Sequence, residues 1–374
     1  MRTDPSSAAG TRLKKIALSG VRVFDGRRLS GQRTVVIDGA VIGTDPAGAE
    51  VIDAKGAVLL PGLIDAHIHL DGPGNLEQLR SFGVTTALDM ATWQPHLVEQ
   101  LRNQAGTTDI RSAMIPVLGD VDADAVPGVA PDLVREAIVR SPGEADGAVG
   151  WRVARGADYI KLMIGSSGPG GAGGQDQPTA DALVVAAHAH GKKVIAHALT
   201  ADAYRMAVHA GVDVLAHVPL DQVLTPADVQ LIVAGGQVCV PTLTMMQGVA
   251  ALGESSVFET ATRNVAALYR AGVPIVAGTD ANALPGVPVH LDHGQCLHDE
   301  LELLVGAGLS TTDALRAATD LSARSFGLTD RGSVRPGLRA DLLLIDGDPT
   351  AGIRATRTIR RVWCAGAGDE PGWG

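Results

Sequence analysis

One short pattern recurs along the chain: a stretch with helical spacing, a glycine, then an apolar run rich in β-branched residues. It stands at Ser81-Phe-Gly83-Val-Thr-Thr-Ala-Leu-Asp89 and again at Ala154-Arg-Gly156-Ala-Asp-Tyr-Ile-Lys-Leu-Met163. It returns after Gly191 (Lys-Lys-Val-Ile-Ala-His), Gly211 (Val-Asp-Val-Leu-Ala-His), Gly236 (Gln-Val-Cys-Val-Pro) and Gly272 (Val-Pro-Ile-Val-Ala-Gly). A glycine just past a helix takes the left-handed conformation and ends it. The apolar run that follows suits a strand covered on both faces. Helix and strand alternating in this way predict βα units and a parallel sheet.

Two more runs, Leu63–His69 and Ile110–Val117, bring the series to eight. Eight such units over roughly 250 residues predict a closed (β/α)8 barrel of the TIM type. An open doubly wound sheet ranks below it, because no glycine-rich phosphate loop follows any strand. The flanks read differently. Short strands with turns fill residues 21–60, and the segments around Asp341–Asp348 and Thr358–Trp363 are strand-like too. The expected organisation is a small β-sandwich built from both chain ends, residues 1–60 and 336–374, around a barrel at 61–335.

Composition sharpens this only in part. Aromatic residues are 3% of the 374, so the core must be Val, Leu, Ile and Ala. The formal net charge of −10 gives no support for nucleic acid or an anionic membrane as partner. Three scattered cysteines without a CxxC pair argue against a disulfide framework. The apolar patch after Lys14-Lys15 is too short for a leader, and no long apolar run follows. The expectation is a soluble, cytoplasmic chain with a small-molecule substrate, with homo-oligomerisation left open. The run Gly165-Ser-Ser-Gly-Pro-Gly-Gly-Ala-Gly-Gly-Gln175 is either a linker or a lid, since it leaves the functional rim of a barrel.

Chemistry in a barrel sits at the C-terminal ends of the strands. Strand one ends His67-Ile-His69, and residues two apart share a face, so both imidazoles are expected to look into the lumen. By the same parity Tyr159, Lys161 and Met163 face inward on strand four. Strands five and six end in His197 and His217, and strand eight in Gly278-Thr-Asp280. Imidazole and carboxylate suit borderline divalent cations, zinc first among zinc, manganese, iron and cobalt. A lysine inside a barrel is costly unless neutralised. As a carbamate it becomes an oxygen ligand that bridges two metals, and a shared hydroxide of lowered pKa is then the nucleophile. A plain lysine with one metal is the alternative.

These residues together resemble the amidohydrolase superfamily. The matching pieces are Leu60-Pro-Gly-Leu-Ile-Asp65-Ala-His67-Ile-His69, Asp158-Tyr-Ile-Lys161, the strand-end histidines and Ala277-Gly-Thr-Asp280. The tail adds His298-Asp-Glu-Leu-Glu-Leu-Leu, Ala314-Leu-Arg-Ala-Ala-Thr319 and Gly337-Leu-Arg-Ala-Asp341-Leu. The resemblance runs from Val21 onward and is nearest to the binuclear branch with Xaa-Pro dipeptidase-like and carboxypeptidase-like members. It implies a carboxylated Lys161 bridging two metals, His67, His69 and Asp280 on one, and His197 and His217 on the other. It also implies that Asp280 carries the proton from the bridging water to the leaving amine. Two departures stand out. Strand six ends Ala216-His217-Val-Pro219 where relatives often have Glu-His-Gly, and residues 145–253 contain no glutamate. Mononuclear deaminases and ring-opening members usually carry one there, so that chemistry is not expected.

The reaction expected is hydrolysis of an amide or peptide C–N bond in a small substrate such as a dipeptide or N-acyl amino acid. The same site would serve a lactone, carbamate, cyclic amide or organophosphate ester, and a non-catalytic scaffold comes last because all six ligands are present. Trp93, Tyr159, His290 and His293 are the candidates for substrate contact. His96, His188, His190 and His209 read as ordinary surface residues. No arginine cluster for a free carboxylate stands out, with Arg111 and Arg205 the nearest in sequence.

Overall fold

The computed structural model describes residues 13–165, 173–253 and 257–368. Most of the glycine-rich run, residues 166–172, lies outside the described residues, so the linker and lid readings stay open.

The strands β6 (Leu63–Ile68), β7 (Val84–Asp89) and β8 (Asp109–Ser112) pair in parallel. So do β9 (Ile160–Met163), β10 (Val194–His197), β11 (Val214–Ala216) and β12 (Val238–Val240). Further backbone bonds join the two sets. Val117 N–H donates to Lys161, and Met163 N–H donates back to Val117, which carries the pairing from the extension of β8 to β9. Residues 275–281 close the other side, pairing with β12 through Cys239 and Ile275 and with β6 through Ile68 and Ala281. The pairing therefore runs round eight parallel segments and returns to its start. Each segment matches one of the runs seen in the sequence.

Parity along the strands divides two cores. Ile160, Leu162, Val194, Ala196, Leu215 and Cys239 face the helices. Ile64, Leu88, Tyr159, Ile195, Val214 and Val276 form a separate apolar cluster inside the ring. This plug fills the lumen and leaves the strand ends above it to polar side chains.

The flanks make a β module from both chain ends, its strands joined by hydrogen bonds into one continuous sheet. Its order is β15 (Ala367–Gly368), β14 (Ile359–Cys364), β13 (Leu342–Ile345), β5 (Val58–Pro61), β1 (Ile16–Phe24), β2 (Leu29–Asp38), β3 (Val41–Gly43). The sheet forks at β1, where β4 (Glu50–Asp53) pairs with Ile16–Ser19 and β5 with Arg22–Val23, on either side of a bulge. The bend lets the inward faces of one sheet close on each other. Leu59, Leu342, Leu344 and Trp363 pack there. Their neighbours Val58, Leu60, Leu343 and Ile345 turn to the barrel's helical layer instead. No helix of the described residues is long and apolar enough to cross a membrane.

Candidate metal centre

The six side chains singled out in the sequence meet at the C-terminal ends of the strands. Lys161 Nζ lies 3.1 Å from His67 Nε2. Asp280 Oδ1 lies 3.0 Å from His69 Nε2 and 3.5 Å from His67 Nε2. Asp280 Oδ2 lies 3.8 Å from His217 Nδ1, and His217 Nε2 lies 2.8 Å from His197 Nδ1. His67, His69 and Asp280 bring their ligand atoms within 4.8 Å of one another, the spacing of donors around a cation.

Strand parity alone would not aim all six. His217 and Asp280 both adopt left-handed backbone, with φ of 69° and 63°. Ala216 already faces the lumen, so an extended His217 would point to the helices. The left-handed turn brings it inward, at a cost that such sites commonly carry. On β6 the register slips between Asp65 and Ile68, which does the same for His67.

A second set of groups fixes these side chains. The His69 Nδ1 lies 2.7 Å from the Ala91 carbonyl, so that nitrogen donates and Nε2 is left toward Asp280. His217 Nδ1 lies 2.9 Å from Thr242 Oγ1, and the Tyr204 hydroxyl donates to the His217 carbonyl. Asp65 accepts from the backbone of His67 (3.2 Å) and Thr279 (3.1 Å) and from the Thr279 hydroxyl (2.8 Å), tying β6 to the run that carries Asp280. Glu300 accepts from the N–H groups of Leu243 (3.0 Å) and Thr244 (2.8 Å), anchoring the helix that follows Thr242. Asp65 and Glu300 were not singled out for this role. For Asp65 the available signal was a carboxylate set in an otherwise apolar run, which folding tolerates only with partners; Glu300, in the stretch His298-Asp-Glu-Leu-Glu302, carried no such signal.

Burial dominates the electrostatics. It holds the His67 and His217 imidazoles well below their usual range, with Lys161 and His197 respectively the next contributors, and brings His197 to about 3. Burial opposes protonation of His69 too, but the hydrogen bond and charge of Asp280 outweigh it and leave that group raised. The Lys161 amine is pushed down to about 7 by burial, against the pull of Asp280 and Asp89. The site is thus a set of mostly neutral nitrogen donors around one carboxylate and one easily deprotonated amine.

Above it opens a cavity of about 760 Å³. Trp93 lines it, as expected of a substrate contact. The other three candidates lie elsewhere. Tyr159 faces inward but two residues below Lys161, in the apolar plug, where its hydroxyl bonds the Phe326 carbonyl at 3.2 Å. His290 is exposed and reaches the Leu284 carbonyl. His293 is buried against the His69 carbonyl (3.0 Å) and Asn75 (3.3 Å), so it braces the His69 backbone instead of facing the cavity. His96 and His188 are exposed surface residues paired with Glu99 and Asp213.

The amidohydrolase family model matches residues 58–367, from the last strand of the N-terminal flank through the whole ring. The chain belongs to the amidohydrolase family. It is an enzyme acting on carbon–nitrogen bonds. This amidohydrolase is 29% identical over 360 residues to an uncharacterized protein of Mycobacterium tuberculosis, covering 85% of this chain and 86% of the relative. It is 27% identical over 386 residues to imidazolonepropionase of Streptomyces griseus, covering 92% and 89%. Among solved structures it superposes on a Xaa-Pro dipeptidase with methionine bound in its active site, with a TM-score of 0.81, 23% identity and coverage of 96% and 100%. Members of the family use divalent metals, and the residues here fit one. His67 Nδ1 and His197 Nε2 are buried without a hydrogen-bond partner, a costly arrangement for a polar nitrogen that has nothing to bind.

Proposed function

We propose that this amidohydrolase cleaves the C–N bond of a small amide through a two-metal site. His67, His69 and Asp280 would hold one cation, His197 and His217 the other, and a carboxylated Lys161 would bridge them, with zinc the first choice of metal. The observation that carries the proposal is the convergence of four imidazoles, one amine and one carboxylate on a single point beneath a cavity. Bound divalent metal supplies Lewis acidity, polarising a carbonyl and acidifying water.

The chain's own groups do the rest. Lys161 lies at 2% exposure and, among the described residues, makes no ion pair, so burial outweighs the pull of Asp280 and Asp89 and favours the neutral amine. The neutral amine nitrogen would add to the carbon of CO2, one C–O π pair moving onto oxygen as one N–H proton leaves, so that the neutral amine becomes an anionic oxygen ligand. Asp280 lies in reach of His69 on one side and the cavity on the other. It is placed to take a proton from the attacking water and give it to the departing nitrogen. His69, with Nδ1 fixed on Ala91, keeps the Asp280 carboxylate oriented. Membership of a family whose enzymes act on carbon–nitrogen bonds supports the bond type. A dipeptide and an N-acyl amino acid, the substrates expected from the sequence, both carry a free carboxylate beside the scissile bond. The charge lining the cavity therefore decides between them and neutral amides.

Metal content per chain and intact mass under mild conditions test the site directly. About two ions and a CO2 adduct on Lys161 are expected, and neither would appear if the centre is misread. Asp280→Asn should lower kcat by about 10²–10⁴-fold while the protein stays folded and retains part of its metal. Normal turnover in that variant would remove Asp280 from the proton path.

A further inference from the structure

The walls of the cavity are unusual in what they lack. Apart from the residues placed at the metal centre, most side chains that face it from the strands and loops are apolar, among them Trp93, Leu118, Met163 and Leu220, and the polar ones are Thr200, Asn282 and Asp221. The helix Leu243–Leu252 adds Met245, Met246 and Val249. Among the described residues no arginine lines the cavity, and its lysine is Lys161 in the floor. The two arginines nearest in sequence are committed elsewhere. Arg111 bonds Asp109, and Arg205 bonds Asp202 and Asp228. The internal segments outside the described residues, 166–172 and 254–256, contain no Lys or Arg either. The charged group at the rim is instead Asp221, an exposed carboxylate.

A dipeptide or N-acyl amino acid presents its free carboxylate about one residue away from the carbonyl under attack. That carboxylate needs a partner of its own in the walls. Here it would be desolvated against methionine and leucine with Asp221 nearby, and a buried, unpaired charge is strongly disfavoured. The volume, about 760 Å³, falls in the range of pockets that enclose drug-sized molecules. Met163, Met245 and Met246 give an adaptable surface that also contacts aromatic rings favourably.

We infer that the substrate is an uncharged, lipophilic amide, carbamate or urea bearing an aryl or branched alkyl arm, and not a free dipeptide or N-acyl amino acid. This rests on the C–N hydrolase reading and narrows it. Hydrolysis adds one water across the C–N bond, giving the acid and the amine, and the neutral arms stay in the apolar walls throughout.

The test uses the metal-loaded enzyme and a matched pair: N-benzoyl-leucine, and N-benzoyl-isopentylamine, which is the same molecule without the carboxylate. The neutral amide should be preferred by about 100-fold in kcat/KM. Val287→Arg, at the half-buried rim of the cavity, should narrow that ratio by raising turnover of the anionic partner. Equal or better turnover of N-benzoyl-leucine by the unaltered enzyme overturns the inference and leaves the hydrolase reading standing. If neither amide is cleaved, the hydrolase reading fails for this bond, and calorimetric binding still decides the pocket. Heat of binding from the neutral compound alone supports the inference, and equal or tighter binding of the anion overturns it.

Discussion

Gly278 sits where two strands of the ring approach closely at the site. A Cβ added there would meet Val240 Cγ1 at 2.5 Å and His67 at 2.9 Å, both at Cβ and at the backbone nitrogen. One of those neighbours is backbone and cannot rotate away. Opening the His67 contact from 2.9 Å to the ordinary 3.4 Å requires roughly half an ångström between β6 and the run 275–281. Two residues on, the Asp280 N–H bonds the His67 carbonyl at 2.7 Å, so the shift passes into the distance between Asp280 and the two β6 histidines. Gly278→Ala should therefore cost about 1–3 kcal/mol in stability by overpacking. Its larger effect should be on turnover, a loss of about 10–100-fold for a misplacement of that order. The assay is kcat/KM of the metal-saturated variant beside its calorimetric unfolding. Gly306→Ala is the control, because a Cβ there meets nothing within 4 Å and the helix end accepts alanine. If Gly278→Ala keeps kcat/KM within about threefold of the parent, the close approach does not set the site's geometry and the reasoning is wrong.

Two further outcomes are expected. Thr242→Val removes the partner of His217 Nδ1 while keeping the side-chain shape, and should weaken metal binding by about 10–100-fold in a chelator competition; unchanged affinity would mean the hydroxyl does not orient the ligand. Glu300 is raised to about 7 by burial, which outweighs the three hydrogen bonds it accepts from Thr244 and Leu243. The folded chain thus keeps a proton there that the unfolded chain gives up near 4.5. Its contribution to stability is full below about pH 4.5 and is lost as pH rises to about 7, an effect on the order of a few kcal/mol. Glu300→Gln cannot titrate, so its stability measured by urea unfolding should vary less over that window than the parent's. Asp65, also raised to about 7 by burial and in smaller part by the charge of Glu300, loses that part in the variant, so its own pH dependence should lessen in the same direction. Equal pH slopes would show that Glu300 stays ionised throughout.

The sequence by itself determined the ring and its chemistry. Glycine after each helix and the apolar runs that follow are local signals, and the eight runs reappear as paired segments. The six site residues were legible because polar groups at the ends of such runs break the apolar pattern, and the match to residues 58–367 places the chain in its family. Other features were beyond one-dimensional reading. Tyr159 and Lys161 share a strand face, but only height along the lumen, about 7 Å for two residues, puts one in the plug and the other in the site. The left-handed turns at His217 and Asp280, at φ 69° and 63°, are set by the neighbouring strands, since neither residue prefers that backbone alone. Both His290 and His293 follow the eighth run in the sequence, yet His293 is drawn under His69, 224 residues away in sequence, by the packing of the loop. The flanking strands were visible as strands, but their pairing across the two chain ends and the fork at the β1 bulge depend on partners distant in sequence. The identity of each side chain was written in the chain; its height, its turn and its distant partner came from the ring closing around it.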